Sequence, residues 1–367
     1  MRPETPLLAR RWFSCTAMVA TTVLLALAPF PAEAQTPITL KLDTLFVGDN
    51  TEFFNPFRSG QTILGAFQRV FVTIQAADRA ELRLGIFANE LAGSHSPFEH
   101  ALPIVALRLG TTRQRLVLGT LESATRHDGP GPDRTTPHGL VPALQIETLS
   151  FTRPYEAGIQ WIANTTRLRQ DVWFDYQKTN TPEHREAFDG GAVGRARVTS
   201  ALDVGYQMHI VHHGGQQNDT GPVSDSVAYG LGPIVERPVA MLDKASAEAY
   251  VFWSFDRPDR GGDALTTRGQ ALFFRLAGER RGWRGHAILW RGSEVNHEEG
   301  DPNYLSRQKD GAFVQNTRDY GELGVTRFFK LGTGVEFESS FRLHRIESNW
   351  DYSYRLLGTV RLDYRLR

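Results

Sequence analysis

The sequence predicts an all-β fold, a single transmembrane antiparallel up-and-down β-barrel of about 16 strands. Three observations lead to this prediction. Apolar and polar residues alternate along most of the chain, short and long connections follow one another in turn, and the polar positions of many segments are charged. Alternation with a period of two indicates extended strands whose two faces meet different surroundings.

The last predicted strand carries this alternation over its whole length. In YRLLGTVRLDY, Tyr354–Tyr364, every second residue is apolar or aromatic around a central glycine, and most of the residues between them are polar. Ten steps of about 3.3 Å, tilted by about 45°, span about 23 Å, close to the ~25 Å apolar band of an outer-membrane barrel. Tyrosine at both ends suits the two membrane interfaces. The alternation alone would also fit an edge strand of a soluble β-sandwich.

The N-terminal segment, residues 1–34, is predicted to be a signal peptide. Two arginines precede an apolar stretch at 16–30, and an Ala-Glu-Ala cleavage sequence stands at 32–34. The mature chain, 35–367, is then a single barrel domain exported to the cell outer membrane. The single cysteine, Cys15, lies in the removed segment, so no disulfide and no thiolate metal site are expected.

Charge and hydropathy narrow the class of protein. The chain has 41 basic and 41 acidic residues, so nucleic acid is not an expected partner. After residue 34, no apolar run reaches the roughly 18 residues of a membrane-spanning helix. An exported chain without such a helix is either a soluble protein or a β-barrel.

The strands follow in order from the alternation and from the Gly, Pro, Asn and Asp clusters between them. An even number near sixteen is what a bacterial single-chain barrel requires. The predicted strands are 38–48, 62–76, 80–90, 101–111, 113–123, 157–165, 167–178, 191–201, 203–213, 225–240, 246–256, 266–279, 283–293, 319–330, 333–346 and 351–366.

The connections between these strands divide into two kinds. Short ones such as 77–79 and 280–282 alternate with long ones such as 91–100 and 124–156, and only 347–350 is short on the long side. Outer-membrane barrels have short periplasmic turns and long extracellular loops. A soluble sandwich has no reason to separate its loops in this way. We therefore expect the first and last strands to pair and close a barrel.

The two faces of the strands predict which side chains meet lipid and which meet the lumen. Charged residues on the inner face would be tolerated in a water-filled or polar lumen. The predicted lumen-lining residues are Arg83, Arg169, Asp171, Asp175, Glu336, Glu338, Arg342, Arg355, Arg361 and Asp363. The predicted lipid-facing girdle consists of Tyr352, Tyr354, Tyr364, Tyr176 and Phe174.

Two stretches resemble a known group of proteins. TEFFNPFRSGQTILGAF near the start and GIQWIANTTRLRQDVWFDYQK in the middle are similar to segments of poorly characterised bacterial outer-membrane barrels, porin-like or alginate-export-like, with an FFNPF-type first loop. The resemblance implies a barrel, and it implies neither a substrate nor catalytic residues. The chain departs from many such barrels because it ends in Tyr364-Arg365-Leu366-Arg367 rather than in Phe or Trp.

No metal or cofactor is predicted. In MHIVHHGG, His209 and His213 share one strand face and His212 points to the other, so at most two of them converge. The acidic segments HEEGDPN and FDRPDRGGD match no EF-hand spacing and are interpreted as solvated loops. No local catalytic motif occurs, although a Ser/His pair carried by two strands would leave no local spacing.

The function predicted from these features is an outer-membrane porin-like channel with no chemical step. It would pass small polar solutes or a polysaccharide, because about sixteen strands enclose an aqueous bore. Its other partners would be outer-membrane lipid and the barrel assembly machinery. The loop 124–156 is the candidate constriction. The alternative is a barrel enzyme, lipase-like, or a surface-binding protein that acts through its extracellular loops.

Overall fold

The computed structural model describes residues 37–94, 100–122, 136–215, 217–218, 221–262, 266–306 and 315–366. They form a closed antiparallel barrel of sixteen strands and confirm the predicted fold class. The strands are β1 (Ile38–Glu52), β2 (Gln61–Ala77), β3 (Ala80–Leu91), β4 (His100–Gly110), β5 (Gln114–Thr120), β6 (Ala157–Asn164), β7 (Leu168–Lys178), β8 (Glu186–Arg197), β9 (Leu202–Gly214), β10 (Ser224–Val239), β11 (Leu242–Arg257), β12 (Thr267–Arg280), β13 (Trp283–Ser293), β14 (Thr317–Gly332), β15 (Val335–Ile346) and β16 (Asn349–Arg365). One short helix, α1 (Leu149–Thr152), lies between β5 and β6.

The barrel closes where the two ends of the chain meet. Each strand pairs with its neighbour in sequence, and β1 pairs with β16 from Thr39↔Arg365 to Glu52↔Tyr352. The predicted pairing of the first and last strands is therefore correct. Among the described residues, no helix is long and apolar enough to cross a membrane.

One strand lies elsewhere than predicted. We expected a strand at 191–201, and β8 covers Glu186–Arg197 instead. Asp189-Gly190-Gly191 has the composition of a turn, yet it lies inside the strand. A Cβ atom on Gly191 would come within 2.6 Å of the Trp173 ring. Glycine is needed there because an interior aromatic ring lies against the strand backbone.

The residues predicted to line the wall differ in exposure. Asp171, Asp175 and Arg355 are buried, and Asp363 is exposed. The half-buried ones are Arg83, Arg169, Glu336, Glu338, Arg342 and Arg361. All five girdle residues, Tyr352, Tyr354, Tyr364, Tyr176 and Phe174, are exposed. Their roles at lumen and lipid stay predictions.

The barrel interior is less polar than the sequence led us to expect. We predicted that charged residues line the lumen, but the inner faces of β10–β14 carry an aromatic core that includes Phe252, Phe273 and Trp290. Two segments from the long connections, 136–156 and 294–306, lie against this core. They contribute buried apolar residues that include Leu140, Val141, Leu144, Tyr304 and Leu305. The inner wall tolerates apolar residues because these segments cover it.

The predicted constriction loop does fold inward. His138, Leu140, Val141 and Leu144 are fully buried, and the Val141 N–H donates to Gln207 Oε1 on β9 at 2.7 Å. The part of this loop at 123–135, with the DGPGPDR sequence, lies outside the described residues.

Candidate active site

Three inward-facing polar residues meet on neighbouring strands, β14, β15 and β16. Glu322 lies directly opposite His344, and Ser353 lies opposite the position two residues before His344. All three are buried. They lie towards the barrel end that carries the long connections, which we call the loop end.

A chain of hydrogen bonds joins these residues. Ser353 Oγ lies 2.9 Å from His344 Nε2, and His344 Nδ1 lies 2.8 Å from the Tyr320 hydroxyl. The Tyr320 hydroxyl donates to Glu322 Oε2. Its oxygen can therefore accept the Nδ1–H of His344, and this tautomer leaves Nε2 free to accept the Ser353 hydroxyl proton. We call the four residues the Ser353 cluster.

The Ser353 cluster has the arrangement of an activated nucleophile. A serine contacts a histidine base, and a third group orients that base. His344 Nδ1 is 3.5 Å from Glu322 Oε2, so Tyr320 provides the closer contact and the carboxylate stands behind it. Such a set can transfer an acyl group from an ester to the serine and then to water.

Three arginines surround the cluster, and each is paired with a carboxylate. Arg342 Nη1 is 2.5 Å from Glu147 Oε2, and Arg355 Nη2 is 3.2 Å from the same oxygen. Arg58 pairs with Asp301 at 2.5 Å. Burial alone would raise the pKa of Glu147, but the two arginines outweigh it and hold this pKa far below its usual range. The loop 136–156 is thereby fixed to the wall beside Ser353.

A small cavity opens beside Ser353. Its volume is about 20 Å³, and its lining includes Ser353, His344, Arg58 and Arg342. This is enough space for one water molecule among polar groups. A reacting group could therefore lie next to the Ser353 hydroxyl. A serine in a purely structural contact has no such space beside it.

The FFNPF segment covers this cavity. Asn55 Oδ1 accepts the N–H groups of Phe57 and Arg58 at 2.8 and 2.9 Å, and Asn55 Nδ2 donates to Asp351 Oδ2 at 2.5 Å. The Phe53 ring contacts His344 edge-on at 5.0 Å. The asparagine therefore fixes the turn that carries Arg58 and Phe53 to the site.

A second serine–histidine pair lies across the lumen. Ser226 Oγ is 3.1 Å from His297 Nδ1, and His297 Nε2 is 2.8 Å from His209 Nδ1. Ser226 Oγ also accepts the N–H of Glu298 at 3.0 Å. Burial lowers the pKa of His297 well below its usual value. We call these three residues, Ser226, His297 and His209, the Ser226 cluster.

The histidines of MHIVHHGG have separate partners. His212 Nδ1 contacts Asp225 at 2.8 Å, whereas His213 Nε2 contacts Glu298 at 2.7 Å.

The reading of HEEGDPN as a solvated loop was wrong, since Glu299 and Asp301 form ion pairs in the interior with Arg153 and Arg58. In FDRPDRGGD, Asp256 is buried against Asn296, Asp259 is exposed, and Asp263 lies outside the described residues.

Among the described residues, two groups bring metal-binding atoms close together: Glu156, Asp175 and Asp189, and a second group that includes a histidine. Ligand atoms of Asp189, His209 and Glu299 lie within 4.8 Å of one another. The Arg153 guanidinium already bridges the two carboxylates. A cation is thus supplied by the chain itself, and we assign no metal to this group.

The Ser353 cluster was not predicted from the sequence. His344 and Ser353 lie nine positions apart and far from any motif. They meet because the Glu347–Ser348 turn reverses the chain and sets β15 against β16 with His344 opposite Asp351. The shortness of this connection was the one available signal, because it limits the register of the hairpin.

Comparisons with known proteins agree with the fold. A family model described as lipid A 3'-O-deacylase-type matches residues 30–367, and no curated protein matches. Among solved structures, OmpT of Vibrio cholerae in its trimer form has a TM-score of 0.54 at 8% identity, over 89% of this chain and 99% of that one. A loop L8 deletion mutant of OmpT has a TM-score of 0.53 at 9% identity, over 89% and 98%. OccAB1 of Acinetobacter baumannii has 0.50 at 8%, over 90% and 98%. These likenesses establish the outer-membrane barrel fold alone, and the FFNPF-type resemblance is not confirmed.

Proposed function

Because the chain belongs to the lipid A 3'-O-deacylase-type family, we propose that it is an outer-membrane ester hydrolase that removes an acyl chain from a lipid A-type glycolipid. The prediction that the protein is not an enzyme was wrong, since the family is a family of enzymes. Of the alternatives considered from the sequence, the lipase-like barrel enzyme is the one that this finding favours.

The observation that supports the proposal is the Ser353–His344 contact beside a cavity. Ser353 Oγ would attack the ester carbonyl carbon while its proton moves to His344 Nε2. Tyr320 and Glu322 would hold the resulting imidazolium in place. The proton would then pass to the leaving sugar oxygen, and a water molecule, activated by the same histidine, would release the fatty acid from the serine.

The charge around the cavity suits this chemistry. An oxyanion forms at the carbonyl oxygen in each step, and positive groups fixed in a buried site stabilise it more than water does. Arg58 and Arg342 line the same cavity as Ser353. Their ion pairs keep them in position before a substrate arrives, so little reorganisation is needed.

A passive channel receives no support from the interior. The predicted aqueous bore rested on the number of strands, whereas the inner faces of β10–β14 pack against the inward-folded segments 136–156 and 294–306. Passage of small polar solutes stays an untested prediction.

The proposal is tested by fatty acid release from lipid A in detergent micelles, measured by mass spectrometry. Ser353→Ala should reduce the rate by about 10³-fold or more. Ser226→Ala is the matched control, a buried serine that also contacts a histidine, and it should retain the activity. A fluorophosphonate should label the peptide that contains Ser353. Equal activity of the Ser353→Ala protein and the unmodified protein would refute the assignment.

A further inference from the structure

We propose that the outer wall of the barrel carries a docking groove for a phosphorylated glycolipid, from which the lipid reaches Ser353 over the shortest connection at the loop end. The inference rests on the proposed function and adds where the substrate binds and how it enters.

The groove lies on the outer surface of β10–β15 and has a volume of about 900 Å³. Its lining includes the small residues Ala249, Ala287 and Gly321. Leu272 and Leu289, which are 61% and 62% exposed, also line it. The volume is that of a typical ligand site, and the lining is apolar, so the groove fits acyl chains better than a bulky polar group.

Basic residues stand at the loop end of the groove. Arg291 and Arg345 are both exposed and line it, next to the exposed Trp350. Asp319 lies 3.7 Å from Arg291 and neutralises part of the charge, and Glu347, which also lines the groove, is paired with Arg318 at 3.8 Å. Within the described residues, Arg345 forms no ion pair, and its guanidinium can bind a phosphate through two hydrogen bonds.

This combination selects one class of occupant. A lipid with several acyl chains and a phosphorylated head would fill the apolar groove below and contact the arginines above. Trp350 has the amphipathic ring that favours the membrane interface, where such a head lies. A neutral lipid would gain nothing from the arginine pair, so charge distinguishes the proposed occupant from bulk lipid.

The shortest connection at the loop end lies beside this groove. The connection between β15 and β16 has only Glu347 and Ser348, whereas the other connections at the loop end are all longer. Ser353 and His344 lie on the inner face of these two strands. A glycolipid held on the outside therefore has a short path over Glu347–Ser348 to the cavity.

The groove and the Ser353 cluster also share strand β14. Gly321 faces the groove, while its neighbours Tyr320 and Glu322 face the cluster. A Cβ atom on Gly321 would meet only Ile288 O at 3.8 Å and Leu289 Cδ2 at 3.9 Å. A larger side chain there would fill the groove without a clash with the wall.

The test measures binding rather than turnover, so it can fail independently of the proposed function. Every protein carries Ser353→Ala, and the dissociation constants for lipid A and for dephosphorylated lipid A are measured by native mass spectrometry. Arg291→Gln with Arg345→Gln should weaken lipid A binding roughly tenfold or more and leave binding of the dephosphorylated lipid unchanged. Gly321→Leu should weaken the binding of both lipids.

Two control variants match these changes. Arg268→Gln alters another exposed arginine near the loop end of β12, and Gly285→Leu alters another exposed glycine on β13 with open space around it. Both controls should bind lipid A within twofold of the parent. The inference is overturned if the parent does not bind lipid A, if the groove variants bind it as the parent does, or if the controls lose as much.

Discussion

The Ser353 cluster and the Ser226 cluster each contain a serine and a histidine that are buried inside the barrel. Both serines contact a histidine ring nitrogen, at 2.9 and 3.1 Å. Behind His344 stand Tyr320 and Glu322, whereas behind His297 stands a second histidine. Ser353 borders a cavity, whereas Ser226 accepts a backbone N–H from the segment that covers it.

This difference indicates that one cluster is reactive and that the other is structural. A base that gains a proton needs a negative group nearby to stabilise the imidazolium, and Glu322 meets that need. Behind His297, His209 carries no negative charge of its own, and the carboxylate beyond it, Glu299, lies 3.8 Å from His209 Nε2 and is already paired with Arg153. The Ser226 cluster is therefore interpreted as a structural contact that holds the segment 294–306 in place, and the Ser353 cluster as the reactive site.

The largest expected effect compares the two histidines. His344→Gln should reduce kcat on lipid A by about 10³-fold, because the general base is lost. His297→Gln should change kcat less than tenfold. The rates are compared in micelles at saturating lipid A. A greater loss in His297→Gln would reverse the two assignments.

The second effect concerns the loop 136–156, which contacts the Ser226 cluster and two arginines beside the Ser353 cluster. Its Leu144 carbonyl is 3.1 Å from His209 Nδ1, and its Glu147 binds Arg342 and Arg355. His138 fixes the loop, with Nδ1 and Nε2 each 2.8 Å from a carboxylate, of Asp171 and Glu156 respectively. His138→Gln leaves two buried carboxylates without their cation and should cost about 3 kcal/mol or more in urea unfolding.

The same loop should respond to pH in a defined direction. Burial alone would lower the pKa of His138, but Glu156 and Asp171 raise it well above 6.5. A raised folded-state pKa means that the stabilisation is complete below pH 6.5 and is lost as the pH rises through the raised value. The protection factors of amides in 136–156, which are corrected for the faster intrinsic exchange at high pH, should thus fall at alkaline pH. The exposed His100→Gln is the control, and pH-independent protection of the loop would contradict the account.

A smaller effect is expected at the hydroxyl that links His344 to Glu322. Tyr320→Phe removes the acceptor for His344 Nδ1–H and should lower kcat by roughly tenfold. Tyr304→Phe is the control, because its ring packs on Tyr320 with centroids 4.2 Å apart. If the control loses as much activity, packing rather than orientation of the base explains the result.

The smallest effect is expected at Ser226. Ser226→Ala removes one hydrogen bond to His297 and one from Glu298 N–H, and it should cost about 1 kcal/mol of stability with little change in kcat. Urea unfolding and fatty acid release are measured on the same preparation. A loss of activity without a loss of stability would indicate that Ser226 has a catalytic rather than a structural role.

The wall of the barrel could be predicted from the sequence because each strand meets lipid on one side. The alternation from Tyr354 to Tyr364 reflects that single constraint, and it fixed the sheet and its closure. β8 was misplaced because Gly190 and Gly191 read as a turn, whereas they make room for Trp173. Local composition does not reveal which distant ring will lie against a strand.

The site could not be predicted for a related reason. Ser353 and His344 belong to one hairpin, but Glu147, Arg58 and Asp301 come from three other segments that fold inward. Their contacts depend on long connections whose sequence has no periodicity. The inner face was therefore judged from its charges alone, and the aromatic core that displaces water from much of it was missed.

The junction of β1 and β16 has a consequence for biogenesis. Thr51 of β1 and Ser353 of β16 face each other across this junction, and Asp49 binds Arg355 across it. The two strands are separated by nearly the whole chain, and contacts of such long sequence separation form late in folding. The Ser353 cluster itself comes from β14–β16, but Phe53 and Arg58, which line its cavity, follow β1 in the chain. The complete site would thus be assembled only when the barrel closes, so that a chain still held open during insertion would lack part of it. Catalytic activity would serve as a direct readout of completed closure.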